Sequence, residues 1–168
     1  MKRPLALDDL ARLGDALHAD GHPPPIFAAV EELTARVIGH RLFTINLFDA
    51  ARFEVARAYS SLPAVYPVAG RKKKAHTAWG EHVLTGMQVF LAPDPAAIRA
   101  AFDDHETIFS LGIGSILNIP IVFAGRCVGT LNLCHEAGWF TPDDAHNGRI
   151  IAAFLIAPLL RMCDPGAA

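Results

Sequence analysis

Apolar and polar residues alternate most clearly between Gly112 and Glu136, GIGSILNIPIVFAGRCVGTLNLCHE, where β-branched and apolar positions flank one turn signal, Ala124-Gly125. The pattern predicts a hairpin of buried strands over 115–122 and 126–134. A three-residue loop, Phe123-Ala124-Gly125, puts the glycine third, where a left-handed backbone is needed. In that register Asn118 faces Thr130 and Ile116 faces Asn132, with Cys134 next on the same side. The opposite side carries Leu117, Ile119, Ile121, Leu131 and Leu133. One face is oily; the other has polar groups set among apolar ones, which either bond to a neighbouring loop or line a small-molecule pocket.

Residues 41–49 repeat the split, with Phe43, Ile45 and Leu47 alternating against Thr44 and Asn46. A second strand, 54–60, follows a turn at Asp49-Ala50-Ala51, and a shorter one is expected over 87–91. If these lie in one antiparallel sheet with the hairpin, Thr44 and Asn46 join Asn118, Thr130 and Asn132 on one face.

Elsewhere the period is helical. Residues 7–18 form a helix with Asp8 or Asp9 near its cap, and Pro23-Pro24-Pro25 then breaks the chain. Over 26–38 the residues Ile26, Val30, Leu33 and Val37 recur at helical spacing, Phe27 and Ile38 widen the stripe, and Gly39 is the stop. Short helices are expected over 76–84, carrying Trp79 and His82, over 96–102 behind an Asp94 cap, and over 104–111. Thr141-Pro142-Asp143-Asp144 opens a last helix, with Thr141 capping, Pro142 at the first position and Asp144 at the third. That helix is apolar nearly all round from Ile150 to Leu160, as if covered by the sheet on one side and a partner chain on another, and Pro158 must kink or end it. A homodimer pairing through 26–38 and 150–160 is the expectation.

Composition removes several classes. Fifteen basic against seventeen acidic residues leave a net charge of -2, too little to recruit nucleic acid or an acidic membrane surface. No apolar run approaches the ~20 residues of a membrane span, and the opening MKRPLALDDL turns acidic where a signal peptide would stay apolar. The expected location is the cytoplasm. Cys127, Cys134 and Cys163 lack the spacing of a disulfide framework or a zinc site, so no metal is expected.

The remaining candidates have plain readings. Cys134 and His135 are neighbours on a strand, so they point to opposite faces and read as structural. His76 and His82 do not share a helix face well and read as surface or capping residues. Arg71-Lys72-Lys73-Lys74 ends an irregular connection over 62–74; it can meet a phosphate but reads as a solvated loop.

The runs TAWGEHVLTGMQVFLAPD and LGIGSILNIPIVFAGRCVGTLNLCHEAGWFTPDD resemble the GAF domain. The matching features are the Gly-ended helix before 87–91, the strand from Ser115 to Pro120, the Gly125 turn, Gly129-Thr130-Leu131, and the Phe140-Thr141-Pro142-Asp143 entry to the last helix. The resemblance implies an α+β fold: a six-stranded antiparallel sheet, the terminal helices on one face, and a pocket on the other roofed by 76–84 and 95–111. It divides the chain into an N-terminal helical extension (1–25), the GAF-like domain (26–162) and a C-terminal tail (163–168). With it, Thr44, Asn46, Trp79, Asn118, Thr130, Asn132 and Cys134 become candidate ligand-binding residues, Trp79 as an aromatic wall.

Functionally the resemblance implies a sensory or regulatory module that binds an unidentified small molecule, acting alone or by docking to a signalling protein. One standalone relative, the free methionine-(R)-sulfoxide reductase, needs a nucleophilic and a resolving cysteine around its pocket roof. Here Trp79 stands before Gly80 where that family has a cysteine, and none lies between Ala92 and Gly114. The acidic residues of its last pocket strand are here Asn132 and Cys134. Three readings stay open: a ligand sensor, an enzyme needing a titratable group beside Cys134, and a dimerisation scaffold whose pocket is filled by Trp79, Phe102, Phe109 and Ile116. The sequence names neither ligand nor cofactor.

Overall fold

The computed structural model describes residues 2–163; beyond Cys163, the tail expected over 163–168 lies outside the described residues. A helical pair comes first, α1 (Leu7–Leu17) and α2 (Pro24–Val37). The proline run that was expected only to break the chain also starts α2, because prolines at the first helical positions have no N–H to leave unpaired. Gly39, at φ +84°, ends α2 as expected, its N–H donating to Thr34 O at 2.9 Å beside that of Ile38.

Six strands follow: β1 (Leu42–Asp49), β2 (Glu54–Ser60), β3 (Arg71–Lys73), β4 (Phe90–Ala92), β5 (Ser115–Phe123) and β6 (Arg126–His135). They form one antiparallel sheet in the order β3-β2-β1-β6-β5-β4. Between β3 and β4 lies α3 (Ala78–Gly80), which runs on into a π-helical turn at Glu81–Thr85; between β4 and β5 lie α4 (Pro95–Ala101) and α5 (His105–Ser110). The chain closes with α6 (Pro142–Ala152), a 3-10 turn at Ala153–Leu155, and α7 (Ile156–Cys163). The Thr141 cap and the returning Asp144 carboxylate are as expected, and the last helix tightens just ahead of Pro158 rather than ending there.

Three expectations are corrected. The hairpin loop has two residues, not three: Ala124 (φ +49°) and Gly125 (φ +73°) are both left-handed, the geometry that suits strand twist, and Phe123 pairs with Arg126. Val128 is then an extra residue in β6, since Val122 pairs with Cys127 but Ile121 with Gly129. Loop and bulge together set Asn118 opposite Asn132 and Ile116 opposite Cys134, two residues from the expected register. An even shift leaves every side chain on its face, so the oily and mixed faces survive.

Second, the Arg71–Lys74 run is not simply a loop: Arg71–Lys73 is the edge strand β3, paired with Glu54–Ala56. Third, the strand expected over 87–91 starts later, at Phe90, where pairing with Asn118 begins.

The oily face packs against the long helices. Phe43, Ile45, Leu117, Ile119, Leu131 and Leu133 meet Leu13, Phe27, Val30, Leu33, Ile151 and Leu155 in one core. Through Leu13, α1 shares that core with the rest of the chain. The mixed face is covered by α3, α4, α5 and the 61–70 loop, with smaller clusters around Ile98 and Ile108 and around Trp79 and Val83.

Candidate functional site

Four of the candidates form one chain of side-chain hydrogen bonds. Trp79 Nε1 donates to Asn118 Oδ1 (2.9 Å), Asn118 Nδ2 to Asn132 Oδ1 (2.9 Å), and Asn132 Nδ2 to Thr44 Oγ1 (3.2 Å). All four residues are buried. Trp79 is therefore a strut that ties α3 to the middle of the sheet as well as an aromatic wall. Gly80 lets α3 fold tightly back on the segment that leads into it, because a Cβ there would run into Lys74 O.

Beside this chain lies a cavity of about 100 Å³, between the sheet, α3, α5 and the 61–70 loop. Thr44, Asn46, Trp79, Asn118, Asn132 and Cys134 line it; Thr130 does not. Thr130 sits one pair further along, opposite Pro120 and Asn46, with its hydroxyl buried and without a partner among the described residues.

The cavity has lining that the sequence reading did not assign: Arg57, Tyr66, Lys72, Lys74 and Asp104. Arg57 reaches it because β2 bulges at Ala58. Ile45 pairs with Tyr59 but Asn46 with Arg57, so Tyr59 joins the helical face and Arg57 the cavity. Alternation along β3 places Lys72, opposite Val55, on the cavity side and leaves Arg71 to pair with Glu54 at 2.9 Å. That alternation was readable in the run, had a strand been assigned to it.

Three cations against one carboxylate leave the lining with a surplus of two positive charges. Lys72 and Asp104 pair at 2.6 Å. Lys74 lies over the rings of Trp79 (4.9 Å) and Phe102 (5.9 Å), and Arg57 over Tyr66 (5.0 Å) while Nη1 donates to Pro67 O at 2.9 Å. Among the described residues neither Arg57 nor Lys74 has an ion-pair partner. Burial pushes the Lys74 ammonium below its ordinary value, with the charge of Lys72 acting the same way, and burial also lowers Arg57.

Tyr66 and Cys134 are both driven up to about 12, by burial first and by Asp104 second. The Cys134 thiol thus stays protonated, the opposite of what a nucleophile requires. His135, on the other face of β6, stacks on Trp139 with ring centroids 3.6 Å apart, as adjacency on a strand demands. His76 is exposed, and His82 meets Val89 O at 3.0 Å. Among the described residues no three His, Cys, Asp or Glu side chains gather as metal ligands.

Three buried polar atoms on lining residues have no hydrogen-bond partner among the described residues: Asn46 Oδ1, the Tyr66 hydroxyl and Arg57 Nε. Each such atom costs free energy on folding that a bound polar ligand would recover.

The family model of the GAF domain matches residues 26–159. The chain belongs to the GAF domain family. GAF domains are small-molecule-binding sensory and regulatory modules, and this one has their six-stranded sheet. A search of the curated proteins returned no match. Among solved structures the chain is similar to the GAF domain of a phosphoenolpyruvate-protein phosphotransferase from Coxiella burnetii, with 17% identity, TM-score 0.76 and 96% of each chain covered. It is similar also to the GAF domain of the Acinetobacter phosphoenolpyruvate-protein phosphotransferase, with 15% identity, TM-score 0.75, and 96% of this chain and 97% of that one covered. The chromophore-binding domain of a bacteriophytochrome from R. palustris is a more distant likeness, with 13% identity, TM-score 0.60, and 96% of this chain and 63% of that one covered. No described helix of this GAF domain is long and apolar enough to cross a membrane.

Proposed function

We propose that this GAF domain is a cytoplasmic sensor that binds one small molecule in the cavity between the sheet and its roof and passes the bound state to a protein partner. The observation that carries the reading is the set of unpartnered atoms on Asn46, Tyr66 and Arg57 around that cavity. Lys72, Lys74, Trp79 and Asp104 also line an adjoining groove toward α4, which supplies a route in.

Native mass spectrometry of the purified protein, followed by a thermal-shift screen of small metabolites, tests it. A retained ligand, or a shift that Asn46→Leu removes, is expected. A bare protein that no compound shifts would instead favour the scaffold reading, which the closed Trp79-Asn118-Asn132-Thr44 chain supports.

The same proposal includes pairing of two copies through α2 and the α6–α7 segment, where Ile150, Phe154 and Leu160 are only partly covered. Light scattering at micromolar concentration should give twice the 18.1 kDa chain mass; a monomer at every concentration would remove this part.

A further inference from the structure

Resting on the reading that the cavity is the ligand site, we infer that its ligand is a compact organic acid, whose carboxylate lies between Arg57 and Lys74 and whose hydroxyl or ammonium group donates to Asn46 Oδ1.

The charge argument comes first. A partly buried cation is stable only when something compensates it. Lys72 has Asp104 at 2.6 Å, whereas Arg57 and Lys74 have aromatic rings and, for Arg57, one backbone carbonyl. A neutral ligand would leave that surplus in place; a cation would add to it.

Geometry narrows the anion. Arg57 spends Nη1 on Pro67 O, and its enclosed Nε has no partner among the described residues, a deficit that a planar two-oxygen acceptor on that edge would meet. The Tyr66 hydroxyl, held protonated and stacked against the same guanidinium, supplies a further donor. Asn46 sits opposite Arg57 across the β1–β2 ladder, and its free Oδ1 accepts. The site thus sets an acceptor beside its donors, the complement of a hydroxy or amino acid that carries the group next to its carboxylate.

Size sets the upper limit. Pockets for drug-sized ligands span roughly 300–1,000 Å³; this cavity is about 100 Å³, so the part of the ligand held against the sheet is a few heavy atoms.

The test is calorimetric titration of the full chain with glycolate, lactate, malate and serine, beside inorganic phosphate and neutral glycerol. Binding of at least one acid is expected, weakened about 10- to 100-fold by Arg57→Gln or by Lys74→Gln, as loss of a charge-assisted hydrogen bond implies. Arg12→Gln, on the exposed side of α1, is expected to change nothing, since Arg12 lines neither the cavity nor the groove. Each variant is first matched to the wild type by circular dichroism; if Arg57→Gln fails to fold, Lys74→Gln carries the test.

Glycerol binding unaffected by either substitution would overturn the acid and leave the cavity reading standing. Phosphate binding without any acid would overturn the carboxylate. No binding by any probe, with no ligand in the native mass, would overturn the inference and the sensor reading together.

Discussion

The two faces of the sheet are built on different rules. On the helical face the buried side chains are largely apolar and gather into one core. On the other face a single file of amides and an indole holds the roof, and around it lie unpaired cations, orphaned polar atoms and a void. The contrast teaches where stability and function separate: one side can be damaged only by losing the fold, and the other tolerates defects that a well-packed core would not.

Truncating the helical face should have the largest effect. Phe43 is fully buried and packs edge-on to Tyr59 at 5.9 Å, so Phe43→Ala is expected to cost about 3–5 kcal/mol in urea unfolding. A smaller loss would mean that this face is looser than it looks.

Cutting the strut comes next. Asn118→Leu strands the Trp79 N–H and the Asn132 Oδ1 together, for an expected cost of about 1–3 kcal/mol. Amide exchange should speed up over residues 78–85, where α3 and its π-helical turn lose their anchor. Unchanged exchange there would show that the roof is held by packing alone.

Tyr66→Phe removes a hydroxyl that has no partner among the described residues. Thermal unfolding of the unliganded protein should stay level or gain up to about 1 kcal/mol, while acid binding weakens. A clear loss of stability would mean that the hydroxyl has a structural partner.

The smallest effect concerns pH. Lys74 sits below its ordinary value of 10.5, chiefly through burial and then through Lys72, with Asp104 and Asp103 partly opposing. An anion favours the charged ammonium, so affinity is fully present well below the Lys74 pKa and falls as pH rises through it, earlier than for a free lysine. Tyr66 and Cys134, near 12, titrate too late to imitate this, and Lys74→Arg should flatten the profile.

Much of the architecture was legible because it rests on period alone. Alternation assigned the two faces of β1, β5 and β6, and that assignment outlived a two-residue error in register because the side-chain period is two. The site was legible only where it lies on regular strands. Arg57 escaped because a bulge at Ala58 separates it from Tyr59, and local sequence carries no mark of that insertion. Tyr66 and Asp104 arrive from a loop and a helix start, where position follows from tertiary packing. Thr130 was included because it shares a face with the others, but sharing a face does not say how far along the strand a cavity extends.

The sheet ends on β3, a three-residue strand of Arg71, Lys72 and Lys73, all exposed. A bare strand edge invites another sheet to add to it, and short, cationic edges are the usual deterrent. The run that brings Lys72 to the cavity therefore also governs colloidal behaviour. Neutralising all of it would take Lys72 from the ligand site and leave a sticky margin on which copies of the protein would stack into aggregates.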